Sequence, residues 1–452
     1  MTLYAIAHGL FGAAVLTAVA LVFSENRRAI RWRTVIAGYG AMLLFAVLVL
    51  QGRLLAAYFA PLGWPQQAMA WLSAAFVKLL GFTSTGASFV FGKLADAPGT
   101  EGTLGFFFAF QVLPTIVFFA SLMSVLYYLG FMERLVRAMA WLMARVMGTS
   151  GAESLSGAAN VFVGQTEAPL FIKPYIAGLT RSELLAVMVG GMCTTAGGVL
   201  AAYVQLLGQA YAEITGMGLE PARALFAGQL LGASLMAAPA GLAIAKVLLP
   251  ETEAPRTGAQ LRIAVAKEAS GVIEAAAVGA ADGLKLALNV AATLLAFVGL
   301  IALANSLLGA AGDWLGLNDW LRERFDAPLS LQLVLGMVLR WLGWAIGVPA
   351  ADALNFGSLI GTKLVLNEFV AYLDFSAMLA KGVFTSEKTV LMASFALCGF
   401  ANFASIAVQI GGIGPLAPER RRDIAALGLR DVLGGTLANL LTATIAGMFV
   451  GA

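Results

Sequence analysis

Eight long apolar runs separated by short clusters of charge constrain this chain more than any other feature. They lie at roughly 3–23, 35–52, 104–130, 184–207, 223–249, 286–309, 389–412 and 424–450. Hydrocarbon offers no water to the backbone, so a run of this length must satisfy its own N–H and C=O groups as an α-helix. The runs are too long and too evenly apolar for the roughly ten-residue alternation of an outer-membrane barrel. Only 12% of the 452 residues are charged, about half the load of a soluble domain, so a water-facing surface of this size cannot be clothed. The expected fold class is an all-α polytopic membrane protein.

The remaining composition mostly excludes. A net charge of +3 is too small to imply a nucleic-acid partner. Cys193 and Cys398 both sit inside apolar runs, which gives no disulfide framework. A single histidine, His8, cannot build a metal site. The first basic residue, Arg27, follows the first run, so that run is expected to be a retained span rather than a cleaved leader.

Basic residues also set the orientation. Arg27 to Arg33, then Arg134, Arg137 and Arg145, then Arg256, Arg262 and Lys267, then Arg420 to Arg422 all fall on one side if the N-terminus is outside. The stretches 96–102 and 208–221 on the other side have neither lysine nor arginine, while the stretch around Arg322 and Arg324 is mixed. This predicts a bacterial inner-membrane protein with both termini periplasmic.

Two further stretches, 152–179 and 351–379, are too polar in the middle for a span and too apolar for a loop. Each has two short apolar arms around a polar tip, GQTEAP in the first and NEF in the second. Arms of about ten residues cannot cross about 30 Å of hydrocarbon, so each is expected to be a re-entrant helical hairpin. An amphipathic stretch precedes each hairpin (132–155 and 329–354). A span interrupted near its middle follows each, at 190–203 and 398–412, and then an unbroken one. Anchored on Gly148 and Gly347, Glu153 falls on Asp352 and Leu155 on Leu354. An odd number of crossings per unit gives the two hairpins opposite orientation. The whole is an inverted repeat of eight transmembrane helices and two re-entrant hairpins, as in many secondary transporters.

The expected division is 1–103 as N-terminal scaffold helices and interfacial segments, 104–151 as a scaffold span and cytoplasmic surface helix, 152–250 as the first transport half, 251–350 as cytoplasmic loop, scaffold span and periplasmic surface helix, and 351–452 as the second transport half.

Glu167 and Glu368 stand at the two tips, where a carboxylate is costly and normally functional. Gln165, Thr166 and Asn367 beside them supply donors and acceptors, and neither tip carries a cation that an anionic substrate would invite. A neutral, hydroxyl-rich ligand fits. Lys173 and Lys363 lie on the arms, where their stems are expected to snorkel towards the surface. In the breaks, Thr194 and Thr195 sit among glycines that make unwinding inexpensive, and Asn402 and Ser405 follow Phe400. Unwound carbonyls with a threonine hydroxyl are hard oxygen ligands suited to sodium, although such a hydroxyl also commonly bonds back to its own helix. Phe400 could present a flat face to a ring, but a membrane phenylalanine faces lipid or core by default.

GQTEAPLFIKPYI (164–176), GTKLVLNEFVAY (361–372) and CGFANFASIAVQIGG (398–412) resemble the concentrative nucleoside transporters, and the resemblance runs in order along essentially the whole chain. It implies that Gln165, Thr166 and Glu167 face the nucleobase, that Glu368, Asn402 and Ser405 bind ribose hydroxyls, and that Phe400 packs on the base. It implies a sodium site from Asn160, the carbonyls of Val163 and Thr195 and the hydroxyl of Thr194. It also implies a homotrimer embedded in membrane lipid, with nucleosides such as uridine, cytidine and adenosine as ligands. One departure falls on the ion site: TTAGG stands where the family more often has TIAGS. The expected function is a sodium-coupled nucleoside symporter working inward, with no cofactor. Proton coupling and a non-transporting nucleoside-binding protein are the alternatives. An intramembrane enzyme is disfavoured, because the tips offer no histidine, metal-ligand cluster or phosphate pocket.

Overall fold

The computed structural model describes residues 3–96, 105–257 and 269–450, and all their regular structure is helical. Three helices come first: α1 (Leu3–Val22), α2 (Trp32–Leu50) and α3 (Trp64–Phe91). The first repeat then begins with α4 (Leu113–Tyr128) and the amphipathic α5 (Phe131–Met147). Hairpin 1 is α6 (Gly151–Asn160), a tip, and a 3-10 arm over Ala168–Gly178. Pro169 and Pro174 explain that arm, since each lacks the N–H that an α-helical ladder requires. The broken span is α7 (Arg181–Cys193) and α8 (Gly197–Thr215), and α9 (Leu219–Leu248) completes the unit.

The second repeat has the same order. It runs through α10 (Val272–Trp314), α11 (Leu331–Ala345), hairpin 2 from α12 (Ala353–Val365) and α13 (Glu368–Ala380), the broken pair α14 (Glu387–Leu397) and α15 (Phe403–Ile413), and α16 (Arg421–Gly447). Gly148 and Gly347, the anchors of the repeat, turn the chain into each hairpin at φ 68° and 108°, a region that disfavours any side chain. The most apolar windows of α7–α8 and of α9 are each 83% buried, whereas that of α10 is 17% buried. The broken span and α9 therefore form the centre, and α10 forms a rim.

The correspondence of Glu153 with Asp352 has a structural reason. Both are buried, and both tie the base of a hairpin to the start of the following broken span, Glu153 through Lys246 of α9 and Asp352 directly. Glu153 accepts from Ser150 N at 2.7 Å and pairs with Lys246 Nζ at 2.7 Å. Lys246 also reaches Glu251 at 3.3 Å and donates to Ser182 Oγ at 2.9 Å. Asp352 accepts from the backbone N–H and hydroxyl of Thr385, both at 2.9 Å, and from the Thr389 hydroxyl.

Two expectations change. Among the described residues eight helices are long and apolar enough to cross a membrane, seven of them on expected runs and the eighth at Ala60–Leu94. Residues 64–91 form the continuous α3, whose Gln66, Gln67, Lys78 and threonines dilute an otherwise apolar run. The run 389–412 is the expected interrupted span, two helices of 11 residues each. Lys363 does not snorkel: it is 2% exposed and points into the protein. Lys173 is exposed, as expected. Arg262, Lys267 and most of the stretch 96–102 lie outside the described residues.

Replacing Lys246 with methionine leaves Glu153 and Glu251 buried without their cation. The expected cost is roughly 3–5 kcal/mol, read as a lowered unfolding midpoint in detergent, with much of it recovered when Glu153→Gln is added.

Candidate functional site

Four interruptions of regular structure come together: the hairpin tips at 161–167 and 366–367, and the breaks at 194–196 and 398–402. Each break exposes backbone groups that helices would otherwise satisfy, and these find partners across the repeat. Gly399 N donates to Thr195 Oγ1 at 2.8 Å, and Gly197 N donates to the Phe162 carbonyl of the first tip at 3.1 Å. Gly399 has φ 103°, and a Cβ there would stand 2.6 Å from the Cys193 carbonyl carbon. Only glycine lets the two breaks approach so closely.

A chain of polar contacts runs through this junction. Gln409 Nε2 donates to Gln165 Oε1 at 3.2 Å, and Gln165 Nε2 donates to Ser405 Oγ at 3.4 Å. Ser405 N donates to Asn402 Oδ1 at 2.9 Å, and Asn402 Nδ2 donates to Glu368 Oε2 at 3.1 Å. The Tyr203 hydroxyl reaches the other oxygen of Glu368 at 3.2 Å. Tyr203 is itself fixed by stacking on Tyr372, with ring centroids 4.1 Å apart. Glu368 opens α13, so its carboxylate also faces the positive end of that helix.

The structure thus brings Gln165, Glu368, Asn402 and Ser405 into one group. Thr166 packs against Gly412 of α15, and Phe400 is half-buried in the second break. Glu167 stands apart: its carboxylate folds back over Gly164. Asn367, read from the sequence as a ligand amide, instead caps α13 by accepting from Val370 N at 2.9 Å. Sequence reasoning missed Tyr203 and Gln409. Gln409 carried a usable signal, a polar side chain inside an apolar half-span; Tyr203 carried none, because an aromatic in a membrane helix is unremarkable.

Of the expected ion ligands, Asn160 and Thr194 both meet Gly190 of α7. Asn160 is wholly buried, and neither its Oδ1 nor its Nδ2 has a partner. It faces Gly190 of α7, where a Cβ would stand 3.2 Å from Nδ2. The Thr194 hydroxyl donates back to Gly190 O at 2.8 Å, which engages its hydrogen and leaves its lone pairs free. The carbonyls of Val163 and Thr195 accept no backbone hydrogen bond among the described residues.

Comparison with known proteins gives this arrangement its context. Family models described as the N-terminus and C-terminus of Na+-dependent nucleoside transporters match residues 11–94 and 229–447, and one described as a nucleoside-recognition gate matches 109–210. The chain is 41% identical to the nucleoside permease NupC of Helicobacter pylori over 97% of both proteins. This chain belongs to the concentrative nucleoside transporter family. It is 37% identical to solute carrier family 28 member 3 of Rattus norvegicus, over 97% of this chain and 58% of that protein. The structure superposes on CNTnw in an inward-facing substrate-bound state with a TM-score of 0.85 and 43% identity, covering 99% of each chain. A variant of CNTnw in an outward-facing state gives 0.86 at 42% identity, over 99% of this chain and 98% of that one. The re-entrant hairpins and the inverted repeat are therefore those of a concentrative nucleoside transporter, and the protein is a transporter rather than an enzyme.

Tyr203→Phe keeps the stacked ring and removes one bond to a carboxylate. Nucleoside binding measured by calorimetry is expected to weaken roughly tenfold, with the unfolding midpoint nearly unchanged.

Proposed function

We propose that this transporter is a sodium-coupled symporter that brings nucleosides into the cell across a bacterial inner membrane. The observation that carries the reading is Asn160, a fully buried amide with both polar atoms unpaired beside the Thr194 break. A buried amide without partners costs about 1–3 kcal/mol, and hard oxygen donors are what an alkali cation takes at an unwound helix. Asn160 Oδ1, the Val163 and Thr195 carbonyls and the Thr194 hydroxyl would hold it. The same ligands come from the first tip and the first break, so binding joins them and orders Gln165 for the substrate. Ion and nucleoside then favour each other's binding reciprocally.

On the substrate side, Glu368, Asn402 and Ser405 hold ribose hydroxyls, Gln165 and Thr166 meet the polar edge of the base, and Phe400 packs on its face. Glu167 reaches the base through water or after a change of rotamer, since it now folds over Gly164.

Assembly and orientation belong to the same reading. The α10 rim exposes Leu288, Leu295 and Leu303 by 57–82%, a surface for a homotrimer contact or for lipid. Both termini are periplasmic, and α3 lies along that face. If α3 crossed, Arg134, Arg137 and Arg145 would fall opposite Arg27 to Arg33.

Proton coupling, the second reading, has one observation in its favour. Asp431 of α16 is fully buried with both oxygens unpaired, a group able to take up a proton. Uptake of labelled uridine and adenosine into proteoliposomes with a sodium gradient, a proton gradient or neither separates the two. Sodium-driven uptake that Asn160→Leu abolishes and Asp431→Asn spares is the expected result; proton-driven uptake lost in Asp431→Asn reverses it. Glu368→Gln is expected to abolish uptake, and normal uridine transport by that variant would refute the ribose assignment.

A further inference from the structure

Lys363 is a cation at membrane depth whose partners are all acceptors. Its Nζ donates to Ala396 O at 2.9 Å, Cys398 O at 3.3 Å and Asn439 Oδ1 at 2.9 Å, and the side chain is 2% exposed. Two of those acceptors are carbonyls at the C-terminal end of α14, where a helix leaves its last C=O groups unpaired and its dipole favours positive charge. Asn439 of α16 turns its other end to the first repeat, with Nδ2 donating to Cys193 O at 2.6 Å. Cys193 immediately precedes the Thr194–Thr195 pair, and Lys363 lies five residues before Glu368.

The repeat gives this geometry a meaning. Cys193 corresponds to Cys398 in the paired motifs CTTAGG and CGFANF. The shift that puts Glu167 on Glu368 (368 − 167 = 201) puts Asn160 on Gly361 and Val163 on Leu364. Lys363 stands between those two positions. In the first repeat the hairpin arm offers an unpaired amide to the break that follows it. In the second repeat the arm offers its own ammonium to the equivalent break.

The geometry points to Lys363 as a resident cation: its ammonium occupies, between hairpin 2 and the second break, the place that a mobile cation takes between hairpin 1 and the first. Asn439 links the two positions by bonding Lys363 with one end and the first break with the other. Lys363 thereby positions the segment leading to Phe400 and Asn402, touches no substrate itself, and leaves a single mobile-cation position in the pair of repeats. The inference rests on the sodium reading only for its comparison of the two repeats.

Chemical rescue tests it. Purified Lys363→Ala is expected to bind nucleoside about tenfold or more weakly, and methylammonium at millimolar concentration restores most of the affinity, because the vacated space keeps its three acceptors. Tetramethylammonium, which has no N–H, restores nothing, and wild-type binding responds to neither. Wild-type affinity in Lys363→Ala, or weakened binding that methylammonium does not improve, overturns the proposal. If Lys363→Ala does not fold, Asn439→Leu decides: it is expected to reduce the gain in nucleoside affinity that sodium gives, and an undiminished gain overturns the link. Nucleoside affinity of the wild type in sodium against choline is measured first. Equal values there refute sodium coupling, while the methylammonium result still judges Lys363.

Discussion

Everything at the centre of this transporter depends on one constraint: backbone interrupted at membrane depth must find hydrogen-bond partners inside the protein. The chain interrupts its helices at two hairpin tips and two breaks, which leaves a surplus of unpaired N–H and C=O groups. The structure meets that surplus by collecting the interruptions in one place, where they bond each other. Gly399 N to Thr195 Oγ1 and Gly197 N to Phe162 O are two instances, and side chains of neighbouring helices serve further carbonyls, Asn439 Nδ2 to Cys193 O and Lys363 Nζ to Cys398 O. The candidate site is a consequence of this gathering: side chains on irregular backbone can point inward at positions a straight helix would turn to lipid.

The bases of the hairpins are managed differently from their tips. Glu153 and Asp352 are buried acids whose oxygens are engaged by a lysine, by threonine hydroxyls or by backbone N–H groups. That saturation fixes each hairpin to the span behind it, so that hairpin and broken span can move as a unit. At the tips, by contrast, Glu368 is held by only two side chains, from Tyr203 and Asn402. An acid with spare acceptor capacity beside a half-buried aromatic ring is the arrangement that a polyhydroxylated ligand can still enter.

Much of this was legible before any coordinates, and the reason is that interruptions are costly. A carboxylate, a glutamine or a paired glycine in an apolar run has to be explained, so GQTE, NEF, CTTAGG and the Glu153–Asp352 correspondence stood out. The residues that escaped are those whose sequence context looked ordinary. Tyr203 reads as a membrane aromatic, and α3 falls in the stretch read as interfacial because a few polar residues break its hydropathy. Lys363 departs from the snorkelling expectation for a physical reason: a long stem on a short arm ordinarily reaches for water, but here three acceptors lie nearer. Asn367 shows the converse, a suggestive amide used for capping α13.

The two hairpins are related by the repeat, yet they are not equally self-sufficient. Hairpin 2 has two α-helical arms, an asparagine cap at its tip and an internal lysine that closes the break behind it. Hairpin 1 has one 3-10 arm, no capping side chain at its Glu167 end, and a buried Asn160 whose polar atoms lack partners. An element that already satisfies its own polar groups gains little from an added cation, whereas one with orphaned oxygens gains the most. On the proposed sodium coupling, ordering by the ion would therefore act on hairpin 1. The side chain it would order there, Gln165, is the one that bridges to Ser405 in the second repeat.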